Sequence, residues 1–126
     1  MTDDQPTSPE GLLSSSDFFF TTRIVDTAAA LSKSVHVATD ITAIHKKLEH
    51  RQIGLWIIDL DSAESMLGEV AELTAQYPDL QVIAFGSHVE VTRLKQARQA
   101  GCHLVVPRSK MTTDLVEYLT ENLNGG

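Results

Sequence analysis

The chain has 126 residues, 42% hydrophobic and 21% charged, and carries a net charge of −7 with ten Lys and Arg. That length supports one well-cored domain, and the balance is that of a folded protein in water. So few cations exclude nucleic-acid backbone binding as the main activity, the single Cys102 excludes a disulfide framework or a thiolate zinc site, and no apolar run reaches the roughly 18 residues of a membrane span.

With no leader pattern at its start, the chain is expected in the cytoplasm. Residues 1–10, MTDDQPTSPE, are polar with two prolines and are expected to form a disordered tail, as is the NGG end at 124–126. The domain is expected to span 11–123. It opens with GLLSS as a first strand, and a helix then runs roughly from Phe18 to Leu31 with Ile24, Val25, Ala28 and Leu31 on one stripe. Three consecutive phenylalanines cannot all face a sheet at about 100° per residue, so at least one of Phe18, Phe19 and Phe20 is expected near the surface. SVHVA is the second strand, and DITAIHKKLEHRQ places Ile41, Ile44 and Leu48 at helical spacing.

GLWIIDL is nearly continuous in apolar residues, the pattern of a central strand covered on both faces. Asp61 followed by Glu64 has the form of a capping box, opening a helix with Met66, Leu67, Val70 and Leu73 that stops before Pro78. QVIAF is the fourth strand. Ser87 followed by Glu90 repeats the capping pattern ahead of a helix with Val91, Leu94 and Ala97, which closes at Gly101, where a left-handed residue is expected. HLVV is the fifth strand, ended by Pro107, and a last helix carries Leu115, Val116, Leu119 and Leu123. Five βα repeats imply an α/β fold, a doubly wound parallel five-stranded sheet with ligand chemistry at the carboxyl ends of its strands.

Topology gathers Ser14 to Asp17, Asp59 to Asp61, Gly86 to His88 and Pro107 to Ser109 at those ends. Asp17 and Asp59, from neighbouring strands, suit a shared Mg2+, and a carboxylate beside a metal is a nucleophile towards phosphorus. Helix capping by Asp17 and Asp61, with Asp59 a solvated strand-end acid, accounts for the same residues equally well. The five histidines lack metal-ligand spacing, SSSDFFF stands where a dinucleotide fold needs GxGxxG, and Ser87 with His88 lacks the GxSxG context of a hydrolase.

WIIDLD, the pair VIAFGSH and AGCHLVVPRS, and the gapless match of LLSSSDFFFTTRIV to the start of chemotaxis-type receivers make residues 11–123 resemble the receiver domain of two-component response regulators. The resemblance implies a flavodoxin-like sheet of order 2-1-3-4-5. It puts Asp59 on the phosphoacceptor that receives a phosphoryl group from a histidine kinase, and Asp17 on one of two paired metal-binding acids. Ser16 takes the place of the other acid, and Gly86 that of a Ser or Thr which bonds the phosphoryl group, with Ser87 beside it as a partial substitute. Arg108 takes the place of the family's lysine, with Pro107 before it where the family's proline follows. One carboxylate fewer implies that Mg2+, the one cofactor in view, is weakly held or absent.

The expectation is therefore a stand-alone pseudo-receiver, not an enzyme, that signals by binding a protein with impaired phosphoryl switching. The alternatives are a phosphorylatable receiver using Asp59 with Mg2+, and a small-molecule or anion-binding module at the strand ends. By the same resemblance, Arg93, Lys95 and Tyr118 mark a surface on which a protein docks, and Phe20 is a second contact candidate.

Overall fold

Short apolar runs alternating with amphipathic segments build five parallel strands: β1 (Glu10–Ser14), β2 (Val35–Val37), β3 (Ile53–Asp59), β4 (Gln81–Gly86) and β5 (Leu104–Pro107). A computed structural model describes residues 8–124. The strands pair in the order β2-β1-β3-β4-β5, as the sequence implies. The helices are α1 (Phe18–Ala30), α2 (Ile41–His50), α3 (Leu60–Ala63), α4 (Val70–Gln76), α5 (Val91–Ala100) and α6 (Arg108–Asn122), with a 3-10 helix at Glu64–Glu69. No helix among the described residues is long and apolar enough to cross a membrane.

Successive strand residues point to opposite faces, so the sheet carries two cores. Leu12, Trp56, Ile58, Val82 and Ala84 pack with Ile44 and Leu48 of α2, Val70 and Leu73 of α4, and Leu94 and Ala97 of α5. On the other face Leu13, Leu55, Ile57, Ile83 and Phe85 pack with Ile24 and Ala28 of α1 and with Met111, Leu115 and Leu119 of α6. Cover on both faces explains why β3 is apolar almost throughout. The register sets Ser14 beside Ile58 and Asp59 beside Phe85, with Gly86 beside Pro107.

Several local expectations change. Residues 1–7 of the expected tail lie outside the described residues, whereas Glu10 belongs to β1. Burial pushes the Glu10 carboxyl up, but hydrogen bonds and charges from His36 and Arg51 outweigh that and hold it below the usual carboxylate range. The helix expected after Asp61 starts earlier, because Asp59 itself accepts the Asp61 N–H at 3.0 Å. It then breaks at Ala63 (φ −133°, ψ 29°) into the 3-10 turn containing Gly68, a poor helix former. Ser87 does not cap α5: its carbonyl accepts the Glu90 N–H in a turn, and Glu90 at the cap position makes no side-chain cap bond. Gly101 does close α5 in the left-handed region, at φ 106°.

In α6, Asp114 leaves helical geometry (φ −105°, ψ 15°). Met111, Leu115, Tyr118 and Leu119 face the core, and Val116, expected on that stripe, is exposed. Val91, in the first turn of α5, is also exposed.

Buried polar groups need partners, and one chain of them ties β3 and β1 to the residue that follows β2. The Trp56 indole N–H donates to Ser14 Oγ at 2.9 Å, and Ser14 Oγ–H donates to the Ala38 carbonyl at 2.7 Å. Ser14→Ala strands both the indole N–H and that carbonyl. A loss of about 1–3 kcal/mol is expected in urea unfolding, and an unchanged midpoint would show that the chain is dispensable. Cys102 behaves as the inert hydrophobe its context suggests, burial pushing its thiol up to about 11. Alkylation at pH 8 is expected to run about 100-fold slower than for free cysteine, a factor set by thiolate fraction; a rate near that of free cysteine would contradict this.

Candidate functional site

A parallel sheet delivers the ends of β1, β3 and β4 to one edge, and among the described residues the buried polar side chains there are Ser14, Ser15 and Asp59. Asp59, the last residue of β3, has no exposed surface. A carboxylate so placed is costly unless its oxygens are bonded. Oδ2 accepts the Ser15 hydroxyl at 2.8 Å and the Ser62 hydroxyl at 3.2 Å, and Oδ1 accepts the Asp61 N–H. Ser15 works in both directions, since its oxygen also accepts the Asp17 N–H at 3.1 Å. Ser62 likewise accepts the Ser16 N–H at 3.0 Å.

Cationic charge arrives from the start of α6. Arg108 Nη2 lies 3.7 Å from Asp59 Oδ1 and bonds the Asp61 carboxylate. The guanidinium lies over the Phe20 ring, 5.0 Å from its centroid, and that ring packs on Phe85 at 5.1 Å. Arg108 Nε is buried without a hydrogen-bond partner among the described residues. The second oxygen of Asp61 accepts Arg93 Nη1 at 3.0 Å, and the Arg93 guanidinium also neighbours Glu64 and Glu90. The result is a charge ladder from Asp59 through Arg108, Asp61 and Arg93 to the start of α5.

The structure therefore brings Asp59, Ser16, Asp17 and Arg108 to one edge, but in particular roles. Asp17 joins through its backbone, while its carboxylate accepts the Phe20 N–H at 3.0 Å and caps α1. Ser16 is exposed and contributes a backbone donor. Gly86 is buried, and a Cβ there would stand 3.3 Å from Leu60 Cβ. Ser87 Oγ accepts the Val89 N–H at 3.4 Å and stays in its turn.

Tyr118 is corrected as a contact candidate, whereas Arg93 and Phe20 are partly exposed and engaged within the domain. Arg93 is engaged by the acids of the site instead of standing on an open docking face. Tyr118 is buried against the α6 side of the sheet, its phenol pushed up by burial and the Asp114 carboxylate. Phe20 lies between Arg108 and Phe85, leaving Phe18 and Phe19 as the exposed rings. Lys95 is exposed on α5.

Ser15 and Ser62 were not singled out from sequence, and Asp61 was read there only as a helix-capping acid at a strand end. Strand alternation carried the signal for Ser15: two residues beyond Leu13, it shares the face of Ile57 and Asp59.

These residues do not fit an Mg2+ site. Magnesium demands near-octahedral oxygen ligation, but the Asp59 oxygens are engaged by three donors, an Asp17 oxygen caps α1, and a guanidinium already balances Asp59 and Asp61. Among the described residues no group of three or more acids, histidines or cysteines is arranged to hold a metal ion.

The fold is that of response-regulator receiver domains. A response regulator from Thermotoga maritima matches with a TM-score of 0.75 at 15% identity, over 92% of this chain and 98% of that one. The signal receiver domain of an HD-domain-containing protein from Pseudomonas fluorescens Pf-5 matches with 0.72 at 21% identity, over 92% and 94%. The receiver domain of Saccharomyces cerevisiae Ssk1, solved with the histidine phosphotransfer protein Ypd1, matches with 0.73 at 11% identity, over 94% and 91%. No protein-family model and no curated protein matches the sequence.

Leu60 closes the space above Gly86, so adding a side chain there crowds a packed region. Gly86→Thr is expected to lower stability by about 1–3 kcal/mol, measured as a shift in the urea midpoint; a neutral or stabilising outcome would show that the strand end has room for the hydroxyl.

Proposed function

We propose that this chain is a receiver-fold signalling domain that acts through contact with a protein partner, and that Asp59 serves in it as a fixed structural carboxylate. The observation that carries this reading is the state of Asp59: no exposed surface, and both oxygens bonded from within the domain. To attack phosphorus the carboxylate must give up a donor and come to the surface. It must then hold a group of about −1.5 to −2 charge next to Asp61.

The surroundings supply little to offset that. Arg108 provides charge, but its planar fork is held by Asp61 and by the Phe20 ring, unlike the free point charge of a lysine. At Gly86 there is no hydroxyl to follow a change of charge at Asp59, so a phosphoryl group would lack the local contact that biases a two-state element. A protein partner is the reading that suits the fold, and the Ssk1 receiver domain was solved bound to another protein. A domain whose charged edge is fixed presents one surface at all times, so its signal is set by abundance and by the partner's state.

The test uses the full chain and its single tryptophan. Trp56 bonds Ser14, the neighbour of Ser15, which bonds Asp59, so a change at Asp59 reaches the indole in few steps. Adding millimolar Mg2+ and then beryllofluoride or a small phosphodonor is expected to leave Trp56 fluorescence and intact mass unchanged. A saturable response removed by Asp59→Asn would instead assign phosphoryl acceptance to Asp59 and defeat the proposal.

A further inference from the structure

The face of α1 turned away from the sheet is apolar at one end, small at the other and charged between. Ile24 and Ala28 point inward, and α1 packs on β2 and α6. Phe19, Thr22, Arg23, Asp26, Ala29 and Ala30 are all exposed on the opposite side. Phe18 and Phe19 are 79% and 84% exposed, beside a shallow hollow of about 400 Å3 that Phe20, Thr22, Arg23 and Thr112 complete. Neither Arg23 nor Asp26 has an ion-pair partner among the described residues. Two adjacent aromatic rings this open are unusual on a surface that serves no contact.

The order of these residues is self-complementary. Phe19 precedes Arg23 by the same interval by which Ala30 follows Asp26, so the pattern is symmetric about the point between Ile24 and Val25. A two-fold axis through that point sets two α1 helices antiparallel, and every contact then occurs twice. Phe19 of each copy meets Ala30 of the other, where a small side chain admits the ring. Phe18 falls on the same side as Ala29 of the second copy. Arg23 of each copy meets Asp26 of the other. A parallel arrangement would instead put Arg23 against Arg23 and Asp26 against Asp26.

We infer that α1 is a homodimer face and that its occupant is a second copy of this chain, docked antiparallel through Phe18, Phe19, Arg23, Asp26, Ala29 and Ala30. A covered Phe buries about 150–250 Å2. Four rings with the intervening side chains therefore reach on the order of 1,000 Å2, the lower bound of specific interfaces. The dimer is reversible, and none of its contact side chains bonds Asp59.

Sedimentation velocity on the full chain, from about 1 µM to about 1 mM, covers the range such an interface populates. A concentration-dependent monomer–dimer equilibrium is expected. Phe19→Ser, at a position too exposed to affect folding, should weaken it at least about tenfold with an unchanged thermal midpoint. Arg23→Asp and Asp26→Arg should each weaken it, and the two combined should restore it, because the swap rebuilds the pair with its charges exchanged. A chain monomeric throughout, a dimer indifferent to Phe19→Ser, or a charge swap that fails to restore association would overturn the inference; the first would leave the face to a different protein. Asp59→Asn should leave the equilibrium unchanged, so this inference and the reading of Asp59 fail separately.

Discussion

A carboxylate at the end of a strand covered on both faces must be satisfied from within, and much of this site follows from that constraint. Asp59 ends β3 between β1 and β4, where water does not reach it. Its oxygens draw in the Ser15 hydroxyl from β1, the Ser62 hydroxyl and the Asp61 N–H. Because Asp59 accepts the Asp61 N–H, helix begins directly at the strand end. The two acids so placed then attract Arg108 and Arg93. Interactions that lie far apart in sequence are thus consequences of one desolvated group.

The aromatic layer belongs to the same arrangement. Arg108 is held from one side by carboxylates and from another by the face of Phe20, and Phe20 rests on Phe85 in the core. A guanidinium suits such a place because it is planar and weakly hydrated, so stacking and bonding act together. Phe20 is consumed by this packing, while Phe18 and Phe19, two residues and one residue earlier, are turned away by the rotation of the helix.

Much of the fold was legible in the sequence because alternation of period and the burial of β3 are properties of residue order. The βα repeats, the central strand GLWIIDL and the left-handed close at Gly101 were visible there. Features decided by tertiary competition were not. Asp61 and Glu64 read as a capping box, yet Asp59 took the capping bond because the strand had already aimed it at that N–H. Tyr118 and Arg93 read as surface residues, but the kink at Asp114 accompanies a core-facing Tyr118, and the acid cluster claimed Arg93. At the site, the acids and Arg108 stood out by type and position, whereas Ser15 looked like one serine among three until the register placed it beside Asp59.

The sheet margins limit how the molecule can meet others. One edge is β2, with three residues, and the other is β5, with four residues ending in Pro107, which offers no backbone donor. Edges this short give an incoming extended peptide little main chain to zip against, which protects the domain from strand-by-strand aggregation. With so little strand open at either margin, the helices that wrap the sheet make up most of the surface this domain offers to its surroundings.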